Sequence, residues 1–353
     1  MANKKTSGSS GGRSPGSWLP KLRGSAADQK ARAAEDATQR RTAGESAKSI
    51  ILNAKDVQGE YDAHRLLMTT MGGKVRPLTY DDLATFRHNV RQAQNRYKGG
   101  IRARQVIDLS SPDDRGRANQ QIRMAVPVSA YGSKVRFMTN AGPDSDVTHH
   151  HVMVDFLSYA SAASGARGDG KKSAAWMRRE PLKIECDCGR WRYWYRYIAT
   201  IGKFNAGRDE TGYPKVRNPN LHGVACKHIL RVMAEVESSG SVLAFLARLI
   251  DKARAQDNNK VGVQMSQEEA EKLAGKPASR IRDVEATMRR RQQAREKAAL
   301  SRAAKKTTPP PKKKAAATRR AVKTSAETLG AQFNMTPEQV MAVLAQAQQN
   351  QKG

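Results

Sequence analysis

All three cysteines of this 353-residue chain fall into two short ligand pairs, Cys186-Asp187-Cys188 and Cys226-Lys227-His228. Nothing else in the sequence constrains the fold as strongly. Thiolate and imidazole are the donors Zn²⁺ prefers, and three sulfurs with one nitrogen complete a tetrahedron. A closed tetrahedron leaves no position for a reacting water, so a zinc ion held by Cys186, Cys188, Cys226 and His228 is expected to be structural. The competing reading is three reduced core cysteines and a surface histidine. One-residue spacing in both pairs argues for metal, although the pattern differs from the commoner C-x₂-C forms. Residues 182 to 185 read as a strand that delivers Cys186 and Cys188. Ile229, Val232, Met233 and Val236 recur at i, i+3, i+4 and i+7, which places His228 in the first turn of an amphipathic helix. Ser238-Ser239-Gly240 breaks that helix, and Leu243, Leu246 and Ile250 mark a second one packing back.

The pattern C-x-C, 37 intervening residues and C-x-H resembles the SWIM-type zinc finger. That resemblance assigns Cys186 and Cys188 to the family's first ligand pair and Cys226 and His228 to its second. The insert is longer than in ordinary members.

Outside the ligand pairs the chain is basic, with 63 Lys and Arg against 33 Asp and Glu and a net charge of +30. Such a balance implies an anionic partner, nucleic acid first and an acidic protein lattice second. Apolar residues are 38% of the chain and aromatics 5%, and both ends are rich in Lys, Arg, Ala, Ser, Gly and Gln. A sizeable core is therefore affordable only between about residues 45 and 257. No apolar stretch precedes a small-residue cleavage site, and no run reaches the ~18 to 20 apolar residues of a membrane span. With every cysteine claimed by metal, the expectation is synthesis in a reducing cytoplasm and no membrane partner.

The expected fold class is α+β, with a helical N-terminal part, a small β-containing, zinc-stapled central domain, and a helical, basic C-terminal arm. Its segments are a disordered basic arm over 1–44, a helical region over 45–125, a SWIM-like zinc domain over 126–257, solvated helices over 258–304, a basic disordered linker over 305–324, and a short docking segment over 325–353. The first arm has no hydrophobic periodicity, with Trp18 and Leu19 as the exception. From residue 45 the positions Ile50, Ala54, Val57, Tyr61 and His64 describe one face of a helix, with His64 read as a packed histidine. Gly72-Gly73 ends it. Thr79-Tyr80-Asp81-Asp82 has capping-box spacing, and Leu83, Phe86, Val90, Ala93 and Tyr97 follow at helical intervals up to Gly99-Gly100. Ser111-Pro112 opens another helix, to about Met124.

The period then falls to two. Val135 and Phe137, then Val152, Val154 and Phe156, read as strands joined by a turn at Asn140-Ala141-Gly142-Pro143-Asp144. His149-His150-His151 begins the second strand; neighbours on a strand face opposite ways, so at most two can share an ion. Residues 161 to 173 read as an exposed loop. The run Trp191-Arg192-Tyr193-Trp194-Tyr195-Arg196-Tyr197 fits a strand or, preferably, a helix that gathers Trp191, Trp194, Tyr195 and Ile198. It serves either as core or as a base-stacking surface. Ser266-Gln267-Glu268-Glu269 is a second capping box, and a helix after Pro277 carries Ile281, Val284 and Met288 before Arg289-Arg290-Arg291. Residues 305 to 323 read as the basic linker. Residues 326 to 333 and the helix opened by Thr336-Pro337-Glu338, with Val340, Val343 and Leu344, are too few to bury a core unaided and read as a docking element.

No Gly-rich phosphate loop, Ser/His/Asp grouping or conspicuous acidic pair is present; Asp144, Asp146 and Asp155 lie near the histidines without a motif. The expected function is therefore binding or assembly, with no enzymatic activity and no small-molecule substrate. Arg190, Arg192, Lys203, Lys215, Arg217 and Lys227 lie in or beside the zinc module and are the candidate phosphate contacts. Thr139-Asn140-Ala141-Gly142-Pro143, the histidine strand, Cys186-x-Cys188, Arg217-Asn218-Pro219 and Cys226-Lys227-His228, in that order, resemble structural virion proteins of large tailed bacteriophages over about residues 79 to 256. The resemblance implies a head- or tail-associated structural protein of the virion, made in the host cytoplasm. Its flexible arms would meet other virion proteins or DNA. The alternative is a zinc-dependent nucleic-acid-binding or regulatory protein.

Overall fold

The computed structural model describes residues 34, 50–61, 66–97, 99–143, 145–307 and 313–350. Their contacts group into two compact units that meet in sequence at Asp283 and Val284. Trp18, Leu19, His64 and Asp144 lie outside the described residues.

Helix α1 (Tyr80–Arg96) begins where the capping box requires. Thr79 Oγ1 accepts from the Asp82 N–H at 3.3 Å, and the Asp82 carboxylate accepts from the Thr79 N–H at 2.9 Å. Leu83, Phe86 and Ala93 are buried and Tyr97 caps the end. Upstream, the expected helix is replaced in the described residues by a short π-helical turn, Asp56–Glu60. Leu52 is drawn into a β-bridge with Tyr213, and Gly59 sits at φ 124°, a conformation no helix interior accommodates. Of the expected stripe Val57 and Tyr61 are buried while Ala54 is exposed; with Leu52, which lies off the stripe, they enter one cluster with Leu83, Phe86, Tyr197 and Tyr213. Helix α2 (Ala103–Leu109) carries no strong start signal and was not anticipated. Helix α3 (Pro112–Gln121) starts on Ser111, whose Oγ accepts from the Asp114 N–H.

Strands β1 (Ala125–Tyr131), β2 (Lys134–Asn140), β3 (His149–Phe156), β4 (Leu182–Cys186) and β5 (Gly262–Gln264) form one antiparallel sheet in the order β4-β3-β2-β1-β5. β1 and β5 were not expected. β1 contains Pro127 and a register shift between Pro127 and Ser129, so its alternation is broken where a sequence pattern would be sought. Residues 161–173, expected as a loop, instead contribute to helices α4 (Tyr159–Ala163) and α5 (Gly170–Met177). Asp169 caps α5 by accepting from the Lys172 N–H at 2.7 Å. The aromatic run is helical, a π-helical turn Trp191–Tyr195 leading into α6 (Arg196–Ile201).

One face of the sheet, made by Val135, Phe137, Val152, Val154, Phe156, Leu182 and Ile184, is buried. Helix α7 (Lys227–Ser238) packs across β1 to β4 on it and also meets α2 and α3. Every residue from His228 to Val236 is buried, Arg231 and Glu235 included. Arg231 donates to the Ile122 and Ala118 carbonyls, and Glu235 accepts from the Ser279 N–H. Ser239 separates α7 from α8 (Gly240–Ala255) and caps the latter. Helix α9 (Gln267–Ala274) opens on Ser266 and lays Ala270 on Val126 and Met138 of the opposite sheet face. Residues 262–283, placed among solvated helices by sequence, thus supply an edge strand and a packed helix. Pro277 to Asp283 is not helical; Ile281 is buried there, its N–H and C=O both bonded to the Asn119 side chain.

In the second unit, α10 (Val284–Thr307) is exposed from Met288 to Ala303. Helix α11 (Lys313–Phe333) runs through much of the segment expected to be a disordered linker. Lys, Arg and Ala are strong helix formers, and beyond Pro311 no proline or glycine interrupts them until Gly330. Helix α12 (Pro337–Asn350) starts on Thr336 and pairs with α11, burying Ala326 and Val340. Among the described residues no helix is long and apolar enough to cross a membrane.

Candidate metal centre

Each ligand pair arrives on a different element. Cys186 is the last residue of β4, opposite Val152 in the register, and Cys188 lies in the turn that follows. Cys226 is the N-cap of α7 and His228 its second residue. All four are buried, and their donor atoms lie within 4.8 Å of one another. A tetrahedron with ~2.3 Å metal–sulfur arms has edges of about 3.8 Å, so the four donors already stand near the spacing an ion imposes. Neither ring nitrogen of His228 has a hydrogen-bond partner. Two orphaned nitrogens on a buried imidazole are costly in an apolar setting, and a metal ion accounts for one of them.

The electrostatics suit a cation. Hydrogen bonds from the Cys186 and Cys226 thiols, with His228 alongside, hold the Cys188 thiol well below its ordinary value. Burial, and then the other sulfurs, push Cys186 up; burial also raises Cys226. Burial lowers His228, which keeps the imidazole neutral and able to donate a lone pair. The backbone N–H of Trp191 donates to Cys188 Sγ at 3.3 Å, an outer contact of the kind that orients a ligand.

Asp187, between two ligands, anchors the turn to β3. His150 Nδ1 lies 2.8 Å and His151 Nδ1 3.4 Å from its carboxylate, and its N–H donates to the His151 carbonyl. Burial acts to raise the Asp187 carboxyl but is outweighed by His150 and His151, which hold it well below the usual range. The His150 ring also lies 4.3 Å from the His228 ring. The histidine strand is therefore next to the centre without belonging to it. Alternation does send His150 and His151 to opposite faces; they meet again because Asp187 sits beyond the end of the edge strand.

The insert between the pairs is where the N-terminal region docks. Tyr213 pairs with Leu52, the Thr69 and Thr70 hydroxyls donate to the Lys215 and Val216 carbonyls, and Tyr213 stacks on Phe86. A second hub lies at Asp114, fully buried on α3. Arg190 grips it with two hydrogen bonds, and the Tyr195 hydroxyl donates to it. Burial and then the Asp114 charge raise Tyr195 well above its usual value, so it remains a donor. Sequence inspection missed this hub, since Asp114 reads only as a first-turn helix acid.

The six candidate phosphate contacts separate. Lys215 is fully buried with Nζ donating to the Met68 carbonyl, so it is not available to phosphate. Arg190 is committed to Asp114, and Lys227 donates to Gln121. Arg192 is half-buried, while Lys203 and Arg217 are exposed. Arg217 and Arg190 both lie over the Trp194 ring, at 5.1 and 4.8 Å. Of the aromatic run, Trp191, Tyr195 and Tyr197 are core residues, leaving Tyr193 and Trp194 half-exposed. No protein-family model, curated protein or solved structure matches the chain.

Proposed function

We propose that this protein is a non-enzymatic structural component whose central module is stapled by one zinc ion and whose basic exterior engages an acidic partner. The observation that carries it is the convergence of Cys186, Cys188, Cys226 and His228, buried and from two elements far apart in sequence. Zinc suits three thiolates and one imidazole, and a complete tetrahedron gives folding energy without an open coordination position. The likeness of ordered motifs to tailed-phage virion proteins supports placing it on a virion, against an acidic protein lattice or DNA. The exposed Lys203 and Arg217 and the net charge of +30 support the second reading, a zinc-dependent nucleic-acid-binding protein. Mass spectrometry of purified particles from the source, beside a salt series of DNA binding, separates the two. Stoichiometric presence in particles is the expected result. Absence from particles, with DNA affinity falling steeply with salt, would overturn assembly in favour of nucleic-acid binding.

A further inference from the structure

Arg190, Lys215 and Lys227, half of the cations singled out beside the metal centre, are committed internally, yet the protein carries a net charge of +30 that must face something. The sheet has one face left partly open. In the register Tyr131 stands opposite Lys134, Ser129 opposite Arg136, and Arg136 opposite Met153, so these side chains share the face turned away from α7. Helix α9 covers only the end of that face at Val126 and Met138. What remains is a trough of about 650 Å³ lined by Tyr131, Lys134, Arg136, Met153, Lys252 and Gln264. A second depression meets it at Tyr131 and Lys134 and adds Leu157 and Lys260.

The chemistry of the lining is specific. Tyr131 is 64% exposed, a wide aromatic face held out from a strand. Lys134 and Arg136 are exposed and have no hydrogen bond or ion pair from their side chains among the described residues. Lys252 gives one proton to the Gly262 carbonyl at 2.8 Å and keeps two. The carboxylates on this face are Asp155, opposite Lys134 and Lys183, and Glu185, which is paired with Arg196. The balance is cationic. Residues two apart along a strand are about 7 Å apart, so Lys134 and Arg136 form a short cationic row beside the ring.

We infer that this open sheet face binds a single strand of nucleic acid, with a base stacked on Tyr131 and phosphates meeting Lys134, Arg136 and Lys252. A ring beside a cationic track is the combination that single strands use, because every base offers a π-face. A duplex keeps its base faces stacked on one another, so it could meet the cations but would offer Tyr131 no face to stack on. An acidic peptide would satisfy the lysines and leave Tyr131 without a role. The inference rests on the reading that the chain meets an anionic partner and is independent of the ion at the cysteines.

The test uses the full-length, metal-loaded protein and a bromouracil-substituted single-stranded oligonucleotide, cross-linked by light and mapped by mass spectrometry. Adducts are expected on the peptide that contains Tyr131. Tyr131→Ala should remove them and weaken single-strand binding about 5- to 150-fold while leaving duplex binding and zinc content unchanged. Lys134→Ala and Arg136→Ala should each reduce the log–log salt slope by about 0.7. Adducts confined to the basic ends, unchanged binding by Tyr131→Ala, or equal displacement by polyglutamate at the same charge concentration would each overturn the proposal. A zinc-free protein that still gives the Tyr131 adduct would sink the structural-zinc reading and leave this one standing.

Discussion

Two helices of opposite sequence pattern meet opposite fates. α7 is buried from His228 to Val236, pinned at its first turn beside the cysteines and covered by the sheet, α2 and α3. α10 is twice as long and exposed from Met288 to Ala303. The first is held by tertiary contacts; over its exposed stretch from Met288 the second rests largely on helix propensity, which is weak per residue and lost when the chain frays. Structure in the first unit should therefore depend on single residues far apart in sequence, and structure in the second should not.

The largest break in that contrast comes from metal removal. Structural zinc supplies on the order of 10–16 kcal/mol in small zinc modules, as much as a domain's whole stability of roughly 5–15 kcal/mol. A strong chelator, or Cys226→Ser, should abolish the cooperative loss of tryptophan fluorescence while much of the far-UV helical signal of α10 to α12 persists. Equal loss of both would show that the two regions do not differ in this way. Next in size is Asp114→Ala, which strips Arg190 and Tyr195 of their buried partner and should cost about 3–5 kcal/mol in urea unfolding. A loss under 1 kcal/mol would mean that the hub is solvated.

Gly330→Ala sharpens the comparison within the second unit. Alanine should stabilise a helix interior by about 1 kcal/mol, but a Cβ here would sit 2.5 Å from the Met335 carbonyl oxygen. The hairpin of α11 and α12 should loosen, seen as faster amide exchange at Val340. A gain in protection would remove the hairpin from the account. Thr79→Ala should cost about 1 kcal/mol through the lost cap. Burial acts to raise Asp82, but Arg76 and Thr79 outweigh it and hold its carboxyl below the ordinary value of 3.8. That contribution is complete above the unfolded carboxylate's range and fades as pH falls through the folded value. Smallest of all, Leu300→Ala on exposed α10 should fall within about 0.5 kcal/mol of zero.

The ligand set was legible because donor chemistry and spacing are local. Cys186, Cys188, Cys226 and His228 announce themselves at one-residue intervals, and α7 follows with an uninterrupted period. α1 and α3 were legible for the same reason, since Thr79 and Ser111 cap within three residues. The rest depended on distant partners. Leu52 becomes a bridge residue only because Tyr213 is there to pair with it, Lys215 is buried only because Met68 offers a carbonyl, and β5 exists only as an edge added to β1. Segment 313–323 reads as a coil because lysine-rich composition signals solvation, which the helix found there tolerates as well as a coil does.

The most direct measurement is the metal content of full-length protein purified without added metal, read by elemental mass spectrometry beside its fluorescence melt. One zinc per folded chain, lost together with the melt in Cys188→Ser, is the result this account predicts. A folded, cooperatively melting protein with less than a tenth of an equivalent of zinc would contradict it.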